Sequence, residues 1–117
     1  MRSTRQLTLT GVFFLGMMVI FTSVYSQPKA KASAQGQTIF KTNCILCHGA
    51  DGSGQTPVGQ QFKVRDLRSG EVQRQSNAQL AAIITKGKGK MPPFEKNLNK
   101  EQVNDLVIFI RQLAKKG

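Results

Sequence analysis

The two cysteines and the single histidine of this chain lie together, at Cys44, Cys47 and His48. Their pattern is C-x-x-C-H, which is the attachment sequence for a c-type haem. Two thiols at this spacing can reach both vinyl groups of one haem and form thioether bonds, while the adjacent imidazole binds the iron as its proximal ligand. The chain therefore has, once and in one place, every residue that covalent attachment of one haem c requires.

Three other kinds of site use the same residue types. A thioredoxin-like redox pair would be expected at a helix start within a βαβ pattern, and the sequence shows no such pattern. A structural zinc site needs four ligands, which is one more than two cysteines and one histidine supply. A disulfide between Cys44 and Cys47 would close too short a loop to add much stability. Haem attachment is the interpretation that we favour over these three.

The sixth ligand of the haem iron can be predicted by elimination among the usual donors. The chain has no second histidine, and Tyr25 lies with three of the four methionines in the first 26 residues, which leaves Met91. Glycines before Met91 let the backbone pass close to a flat ligand, and the two prolines after it restrict the loop. The alternative is that Met91 fills a gap in the core, but it lies outside any helical stripe. Met91 is therefore the predicted axial ligand opposite His48.

Three helices are predicted to position these ligands. The first runs from about Gly36 into the C-x-x-C-H motif, with apolar residues at helical spacing. The second begins after Ser76, an N-cap that forms a capping box with Gln79, and ends at Gly87 in the left-handed conformation. The third begins after Asn99 and keeps a 3.6-residue apolar period to the C-terminus. A long irregular segment separates the first two, and with no convincing strand the predicted fold class is all-α.

The first 26 residues have the pattern of a signal peptide. Arg2 and Arg5 are followed by an apolar stretch at 11–21, and small residues precede a possible cleavage point before Gln27. Because haem attachment of this type takes place outside the cytoplasm, an export signal agrees with the motif. An uncleaved anchor at 7–25 is the alternative, and its 19 residues nearly span a bilayer. Threonines and Ser23 reduce its hydrophobicity, so we favour cleavage and a periplasmic or otherwise extracytoplasmic location.

The remainder of the chain divides into a short linker and one small domain. Residues 27–35 are polar and small, without an apolar period, and are predicted to be a flexible linker. Residues 36–117 are predicted to form the folded domain. So short a domain cannot build a large core, and a buried haem would supply the missing apolar volume.

In these features the chain resembles a class I c-type cytochrome of the small monohaem type found in bacteria and photosynthetic organisms. The resemblance covers nearly the whole predicted domain. It implies three main helices and loops wrapped around one covalently bound haem, with the first and last helices crossing through a small residue and an aromatic. Gly36, Phe40 and Phe109 match those crossing positions. The other matching residues are the motif 44–48, Pro57, Asp66, Leu67, Gly87, Met91, Pro92 and the segment 106–111.

The resemblance also implies roles around the haem. A carbonyl at or beside Pro57 would accept a hydrogen bond from the second ring nitrogen of His48 and so orient it; the alternative is an ordinary turn proline. Arg65 or Arg68 could pair with a haem propionate, although a solvated surface arginine is an equal alternative. The residues expected to wall the haem are Phe62, Val64, Leu67 and Phe94.

Charge gives a second functional signal. The chain has 17 basic and six acidic residues and a net charge of +11, or +9 once Arg2 and Arg5 are removed with the signal peptide. Lys86, Lys88 and Lys90 lead directly to Met91, which suits a docking patch for an acidic redox partner; the alternative is a solvated loop. Nucleic-acid binding is not expected, because export and the absence of a recognition motif argue against it.

Together these features predict a monomeric monohaem electron carrier that works between larger redox proteins. With histidine and methionine both on the iron, no coordination site remains for a substrate, so the chain is not expected to be an enzyme. Two alternatives stay open. A peroxidase or sensor would need the Met91 ligand to be labile, and such sites often use a distal histidine that this chain lacks. A haem subunit of an oxidase or dehydrogenase complex could be tethered by residues 7–25.

Overall fold

The computed structural model describes residues 28–115 and shows an all-α fold, which confirms the predicted class. Within this range the backbone forms no strand, only one isolated antiparallel bridge between Lys88 and Met91. The three predicted helices are present, and three short ones are added to them. The helices are α1, Pro28–Asn43; α2, Ile45–His48; α3, Pro57–Phe62; α4, Gly70–Gln73; α5, Asn77–Lys86; and α6, Lys100–Leu113.

Helix α1 begins eight residues earlier than predicted. Residues 28–35 are helical, so the prediction of a flexible linker is wrong for them. Three alanines favour the helix, and Pro28 is tolerated in its first turn, where a missing N–H costs nothing. Ser33 also donates a hydrogen bond to Gln112 Oε1 on α6, which fixes this extension to the rest of the domain. The sequence shows no apolar period here because the helix propensity of the alanines and one polar contact stabilise this extension, rather than burial of an apolar face.

Two of the predicted features fall outside the part of the chain that the structure describes. The signal peptide, residues 1–26, and the alternative anchor, residues 7–25, both precede Pro28. From residue 28 to residue 115, no helix combines the length and the hydrophobicity needed to cross a membrane.

Helices α1 and α6 cross in direct contact at Gly36. A Cβ atom on Gly36 would lie 2.1 Å from the carbonyl oxygen of Asp105, so this crossing has no room for a side chain. Next to it the rings of Phe40 and Phe109 pack at a centroid distance of 5.2 Å and an angle of 54°, an arrangement that aromatic pairs favour. The crossing through a small residue and an aromatic is therefore as the family resemblance implies.

Buried side chains of α1, α4, α5 and α6 form the core around this crossing. Phe40 and Leu106 are the most completely buried, at 1% and 2% exposure. The remaining core residues are Ile39, Val72, Leu80, Ile84, Val103, Val107, Phe109, Ile110 and Leu113. The apolar period read from the sequence for α6 is confirmed by these residues.

The predicted ends of α5 and α6 are confirmed with one difference. Ser76 and Gln79 form the expected capping box, and Asn99 caps α6 in a second box with Gln102. At the end of α5, Gly87 has the expected positive φ of 74°, but its ψ of 169° is extended rather than left-handed helical. The difference arises because the chain reverses here: a Cβ on Gly87 would lie 2.6 Å from the Met91 carbonyl oxygen.

The segment between α2 and α5, predicted to be irregular, contains α3 and α4. Each is one or two turns long, too short to show a hydrophobic period. Capping side chains begin both helices. Thr56 Oγ1 accepts a hydrogen bond from Gly59 N at 2.8 Å, and Ser69 Oγ accepts one from Val72 N at 3.4 Å. Pro57 occupies the first turn of α3, where proline is favoured.

Candidate haem-binding cleft

A cleft runs between the segment that follows α2 and the loop that follows α5. His48, Leu67 and Met91 line it along its length. Its inner end is narrow and apolar, and its outer end is an open space of about 420 Å³. The inner end is lined by Phe40, Cys44, Ile84, Phe94, Leu98, Leu106 and Ile110. The two residues predicted to bind the iron thus lie on one cleft, with the first attachment cysteine at its apolar end.

His48 is positioned by a short helix that continues α1 after a break at Cys44. Cys44 N donates to Phe40 O at 2.9 Å, and His48 N donates to Cys44 O at 2.9 Å, so the helical hydrogen bonding is almost unbroken across the motif. Gly54 N donates to His48 O at 2.8 Å and ties the next loop to the same residue. The histidine therefore sits on backbone that is held from both sides.

Thr56 connects this short helix to α3, and sequence analysis missed it. Its hydroxyl lies 2.8 Å from Leu46 O and 3.0 Å from Cys47 O, and it accepts a hydrogen bond from Gly59 N. The close approach needs a glycine, because a Cβ on Gly59 would lie 2.3 Å from Cys47 O. The sequence does contain the N-cap signal, a threonine before a proline. No local pattern indicates that this threonine also contacts the helix that bears His48.

Burial lowers the pKa of His48, while the backbone of Arg65 acts in the opposite direction. A lowered pKa favours the neutral imidazole, which is the form that binds a metal. Within residues 28–115 its Nδ1 is buried and has no hydrogen-bond partner. The hydrogen bond to a carbonyl at or beside Pro57 is therefore not formed here, and that role stays a prediction.

Both cysteines are free thiols and half-buried. Burial raises the pKa of the Cys44 thiol to about 11, with the neighbouring Cys47 adding to the shift. A redox-active C-x-x-C pair has the opposite property, a lowered pKa that produces the reactive thiolate. The environment of Cys44 therefore argues against a thioredoxin-like couple.

The loop that bears Met91 is fixed to α5 by backbone hydrogen bonds. Lys88 N donates to Met91 O at 3.1 Å and Met91 N donates to Lys88 O at 3.0 Å, which closes a tight turn. Phe94 N then donates to Ile84 O at 3.1 Å and returns the chain to the helix. Gly87 permits the turn by its positive φ. Met91 is half-buried at the end of a constrained loop rather than on a helix face.

The residues predicted to wall the haem line different parts of the cleft. Phe94 lines the inner end and Leu67 lines both ends. Phe62 and Val64 line the outer end, where Phe62 keeps 42% of its surface exposed. Residues that sequence analysis did not assign to the wall also contribute, including Leu98 and Leu106, because their place on it depends on how α5 and α6 pack.

The two arginines that were alternatives for a propionate differ in their surroundings. Arg68 donates to both carboxylate oxygens of Asp66, at 3.0 and 2.9 Å, and its remaining guanidinium nitrogen, Nη1, donates to Asp51 Oδ2 at 3.4 Å. It does not line the cleft. Arg65 does line the outer end, and its guanidinium pairs with Glu71 at 2.7 Å on the surface. Both arginines thus pair with carboxylates of the chain, and of the two only Arg65 lines the cleft.

Three features of the cleft fit a c-type haem. The inner end is lined by apolar side chains, as a buried macrocycle needs. An imidazole and a thioether, those of His48 and Met91, lie on the same cleft. Cys44 is a free thiol that lines the inner end, and Cys47, also free, follows it at the C-x-x-C spacing of the sequence.

Comparison with known proteins agrees with this geometry. Residues 31–110 match the sequence model of the family described as "Cytochrome C oxidase, cbb3-type, subunit III". The chain belongs to the c-type cytochrome family. The recognition of a class I cytochrome from the sequence is confirmed, and with it the prediction of a monohaem electron-transfer protein.

Among its relatives, the cytochrome is 31% identical to cytochrome c6 of Leptolyngbya boryana over 73% of this chain and 96% of that protein. It is also 31% identical to cytochrome c6 of Nostoc sp. strain PCC 7120 over 94% of this chain and 92% of that one. Subunit CcoP of the cbb3-type cytochrome c oxidase of Azospirillum brasilense is 30% identical, but this chain spans 30% of its length.

A solved structure gives the same result for the fold. The KustC0563 c-type cytochrome superimposes with a TM-score of 0.62 at 30% identity, covering 67% of this chain and 95% of that one. The described residues 28–115 therefore have the fold of a small c-type cytochrome.

Proposed function

We propose that this chain transfers single electrons through one haem c, which Cys44 and Cys47 would attach and whose iron His48 and Met91 would hold. The observation that carries the proposal is that His48 and Met91 line one narrow cleft whose apolar end contains Cys44. Methionine opposite histidine, together with burial, favours a raised reduction potential. The bound haem supplies the one-electron chemistry.

The chain's own residues would bind, orient and shield the group. The hydroxyl of Thr56 and the close contact at Gly59 hold the helix that bears His48. The turn at Lys88 holds Met91, and the apolar inner walls exclude water. With His48 and Met91 both holding the iron, no position would be open for a substrate, and we propose no bond-making or bond-breaking reaction for this chain.

Electron exchange would take place at the cleft mouth, where Phe62 lies beside lysines. Phe62 exposes 42% of its surface. Lys88 and Lys90 line the same mouth. An apolar contact with a basic rim suits a larger redox protein with an acidic docking surface, since complementary charges increase the rate of encounter.

We further propose that the protein is exported and works outside the cytoplasm as a monomer. Support comes from the basic and apolar pattern of residues 1–26 and from the extracytoplasmic chemistry of the C-x-x-C-H motif. Cleavage after Ser26 would place the new N-terminus one residue before the start of α1.

A second candidate function is that of a haem domain fixed in a larger oxidase complex. The description of the matching family and the similarity to subunit CcoP favour it. The chain covers nearly all of the cytochromes c6 and a third or less of that subunit. The free carrier is therefore the function that we prefer.

The experiment that tests the proposal is an intact-mass measurement on protein matured with the export and haem-attachment machinery. The expected mass is that of residues 27–117 plus one haem, and the haem should resist extraction with acidified acetone. A mass equal to that of the bare polypeptide would overturn the proposal. Binding of CO to the reduced protein would instead favour a sensor or peroxidase with a labile Met91.

A further inference from the structure

A polar network joins the last turn of α6 to the segment between α4 and α5. The guanidinium of Arg111 donates to Gln73 O at 2.8 Å. It also donates to Gln75 O and, through two nitrogens, to Asn77 Oδ1 at 3.0 and 3.1 Å. A basic side chain at this position commonly interacts with the carbonyls of its own helix end. The donors of Arg111 instead reach residues that lie 34 to 38 positions earlier in the chain.

The charge of Arg111 has no carboxylate partner within ion-pairing distance among residues 28–115. The hydrogen bonds that it donates go to carbonyl and amide oxygens. Bonds from an ionised donor are roughly twice as strong as bonds between neutral groups. Because Arg111 is half-buried, these bonds are also less screened by water than those of a surface ion pair. Arg111 therefore fixes the connection between α4 and α5 to α6.

Gln73 connects this contact to the cleft. Its Oε1 accepts a hydrogen bond from Arg111 Nη1 at 3.3 Å. Its Nε2 donates to Leu67 O at 2.7 Å and to Ile110 O at 3.2 Å, and both of these residues line the inner end of the cleft. Ile110 O is one of the last carbonyls of α6, which have no partner within the helix. One side-chain amide thus ties the end of α6 to a wall of the cleft.

Leu67 is the wall residue that this network holds. It lines both ends of the cleft, as His48 and Met91 do. Hydrogen bonds fix its backbone on both sides, because Leu67 N donates to Gly52 O at 2.8 Å and Leu67 O accepts from Gln73. Loss of the second bond would let Leu67 move away from the cleft and would admit water beside the two predicted iron ligands.

We propose that Arg111 and Gln73 are positioning residues that hold Leu67 against the haem and so keep the reduction potential raised. The inference rests on the proposed function, because it requires a haem in the cleft. The apolar shell around a metal site controls the access of water and the local dielectric, and through them the potential. Water stabilises the ferric form, which carries the additional positive charge. Displacement of Leu67 should therefore lower the potential.

The test compares Gln73→Met with Ser33→Ala in the haem-loaded protein. Gln73→Met keeps the length of the side chain but removes the amide that binds Leu67 O, while Arg111 keeps its other contacts. We expect the ratio of reduced to oxidised protein at a fixed potential to fall by about tenfold, which is ~59 mV for one electron. Ser33→Ala removes a polar contact between α1 and α6, and Ser33 lines neither end of the cleft. This control should lower the stability and leave the potential unaltered.

Variants of Arg111 test whether it acts through Gln73. Arg111→Gln should lower the potential, and the double variant with Gln73→Met should have nearly the same potential as Arg111→Gln alone. Arg111→Lys should restore part of the shift, because an ammonium replaces some of the donors but not their planar arrangement. Arg74→Gln removes the same charge from an exposed residue outside the cleft and should cause no shift. Additive shifts in the double variant would contradict an action of Arg111 through Gln73.

Hydrogen exchange of the Leu67 amide gives a second readout, which does not depend on the potential. Exchange should be faster in Gln73→Met and Arg111→Gln than in the wild type, and unchanged in Ser33→Ala. If Gln73→Met lost stability but kept the wild-type potential and the wild-type exchange at Leu67, the network would be structural only and the proposal would be wrong. Absence of covalent haem from the wild-type protein would instead overturn the proposed function, and this inference with it.

Discussion

The crossing of α1 and α6 and the walls of the cleft are built in different ways. The crossing consists of periodic apolar side chains packed around one glycine, with Phe40 and Phe109 almost fully buried. Much of the cleft wall, at 49–69 and 87–98, consists of loops and the short helix α3, fixed by backbone and capping hydrogen bonds and by glycines with positive φ. The stability of the crossing therefore depends on how closely its side chains fill the available volume, whereas the shape of the cleft depends on individual polar contacts.

The two regions should consequently be sensitive to opposite kinds of substitution. An added methyl group should lower the free energy of unfolding strongly at the crossing and only slightly in a loop. Loss of one hydroxyl should change the free energy of unfolding little on the outer face of α1 and substantially beside the cleft. Pairs of matched variants can test this difference directly.

The largest effect is expected from Gly36→Ala. The new Cβ would lie 2.1 Å from the Asp105 carbonyl oxygen, so α1 and α6 must separate. Overpacking between two backbones should lower the free energy of unfolding by about 3 kcal/mol or more. Urea unfolding of the haem-loaded protein, followed by circular dichroism, measures the change.

The matched loop variant is Gly89→Ala. Gly89 has a φ of 60°, but nothing lies within 4 Å of a Cβ placed there. We expect a cost of about 1–2 kcal/mol, from the left-handed backbone alone. Equal destabilisation by the two alanines would contradict the distinction between the crossing and the loops.

The next effect concerns Thr56→Val, which keeps the shape of the side chain but removes its hydroxyl. The variant loses the cap of α3 and the contacts to Leu46 O and Cys47 O. We expect a loss of about 1–2 kcal/mol in the free energy of unfolding. The reduction potential should also change, because the helix bearing His48 is no longer tied to α3.

Thr42→Val is the control for that change. The hydroxyl of Thr42 donates to Thr38 O within α1, on the exposed side of the helix. The control should stay within about 0.5 kcal/mol of the wild type and leave the potential unaltered. A potential that moved equally in both variants would show that Thr56 has no special role at the cleft.

The amino-acid sequence was sufficient for features that depend on residue type or on local period. Cys44, Cys47, His48 and Met91 could be predicted as the haem-binding residues because the predicted domain contains one histidine, one methionine and only these two cysteines. The caps at Ser76 and Asn99 and the buried stripe of α6 follow from patterns within a few residues, and the structure has them.

Features that depend on contacts between residues far apart in the sequence could not be predicted. The role of Thr56 requires knowing that α2 and α3 pack at Gly59, which no local pattern records. Likewise Arg65 and Arg68 are equivalent in the sequence, and their separate surroundings result from how the loop at 63–69 turns. The early start of α1 was missed because a polar contact to α6 holds it.

The smallest effect on stability is expected from charge reversal on the turn beside Met91. Lys86, Lys88 and Lys90 are exposed, so changing all three to glutamate should leave the fold and the visible spectrum nearly unaltered. Electron transfer to an acidic partner should slow, most strongly at low ionic strength, because exposed charges are screened over ~8–10 Å at physiological salt. Stopped-flow kinetics at several salt concentrations measures this.

A second triple reversal controls for net charge. Lys29, Lys100 and Lys115 are also exposed and line neither end of the cleft. Their reversal should slow the reaction less, although the same charge is removed. Equal slowing by both triples would mean that net charge alone acts and that the turn is not a docking face.

The absorption spectrum of the ferric protein and of Met91→Ala tests the central claim, that His48 and Met91 share one iron across the cleft. The wild type should show the thioether-to-iron charge-transfer band near the red end of the visible spectrum and should not bind CO when reduced. Met91→Ala should keep its covalent haem, lose the band, bind CO and have a lower potential. If the band persisted in Met91→Ala, Met91 would not be the ligand and the account of the cleft would be wrong.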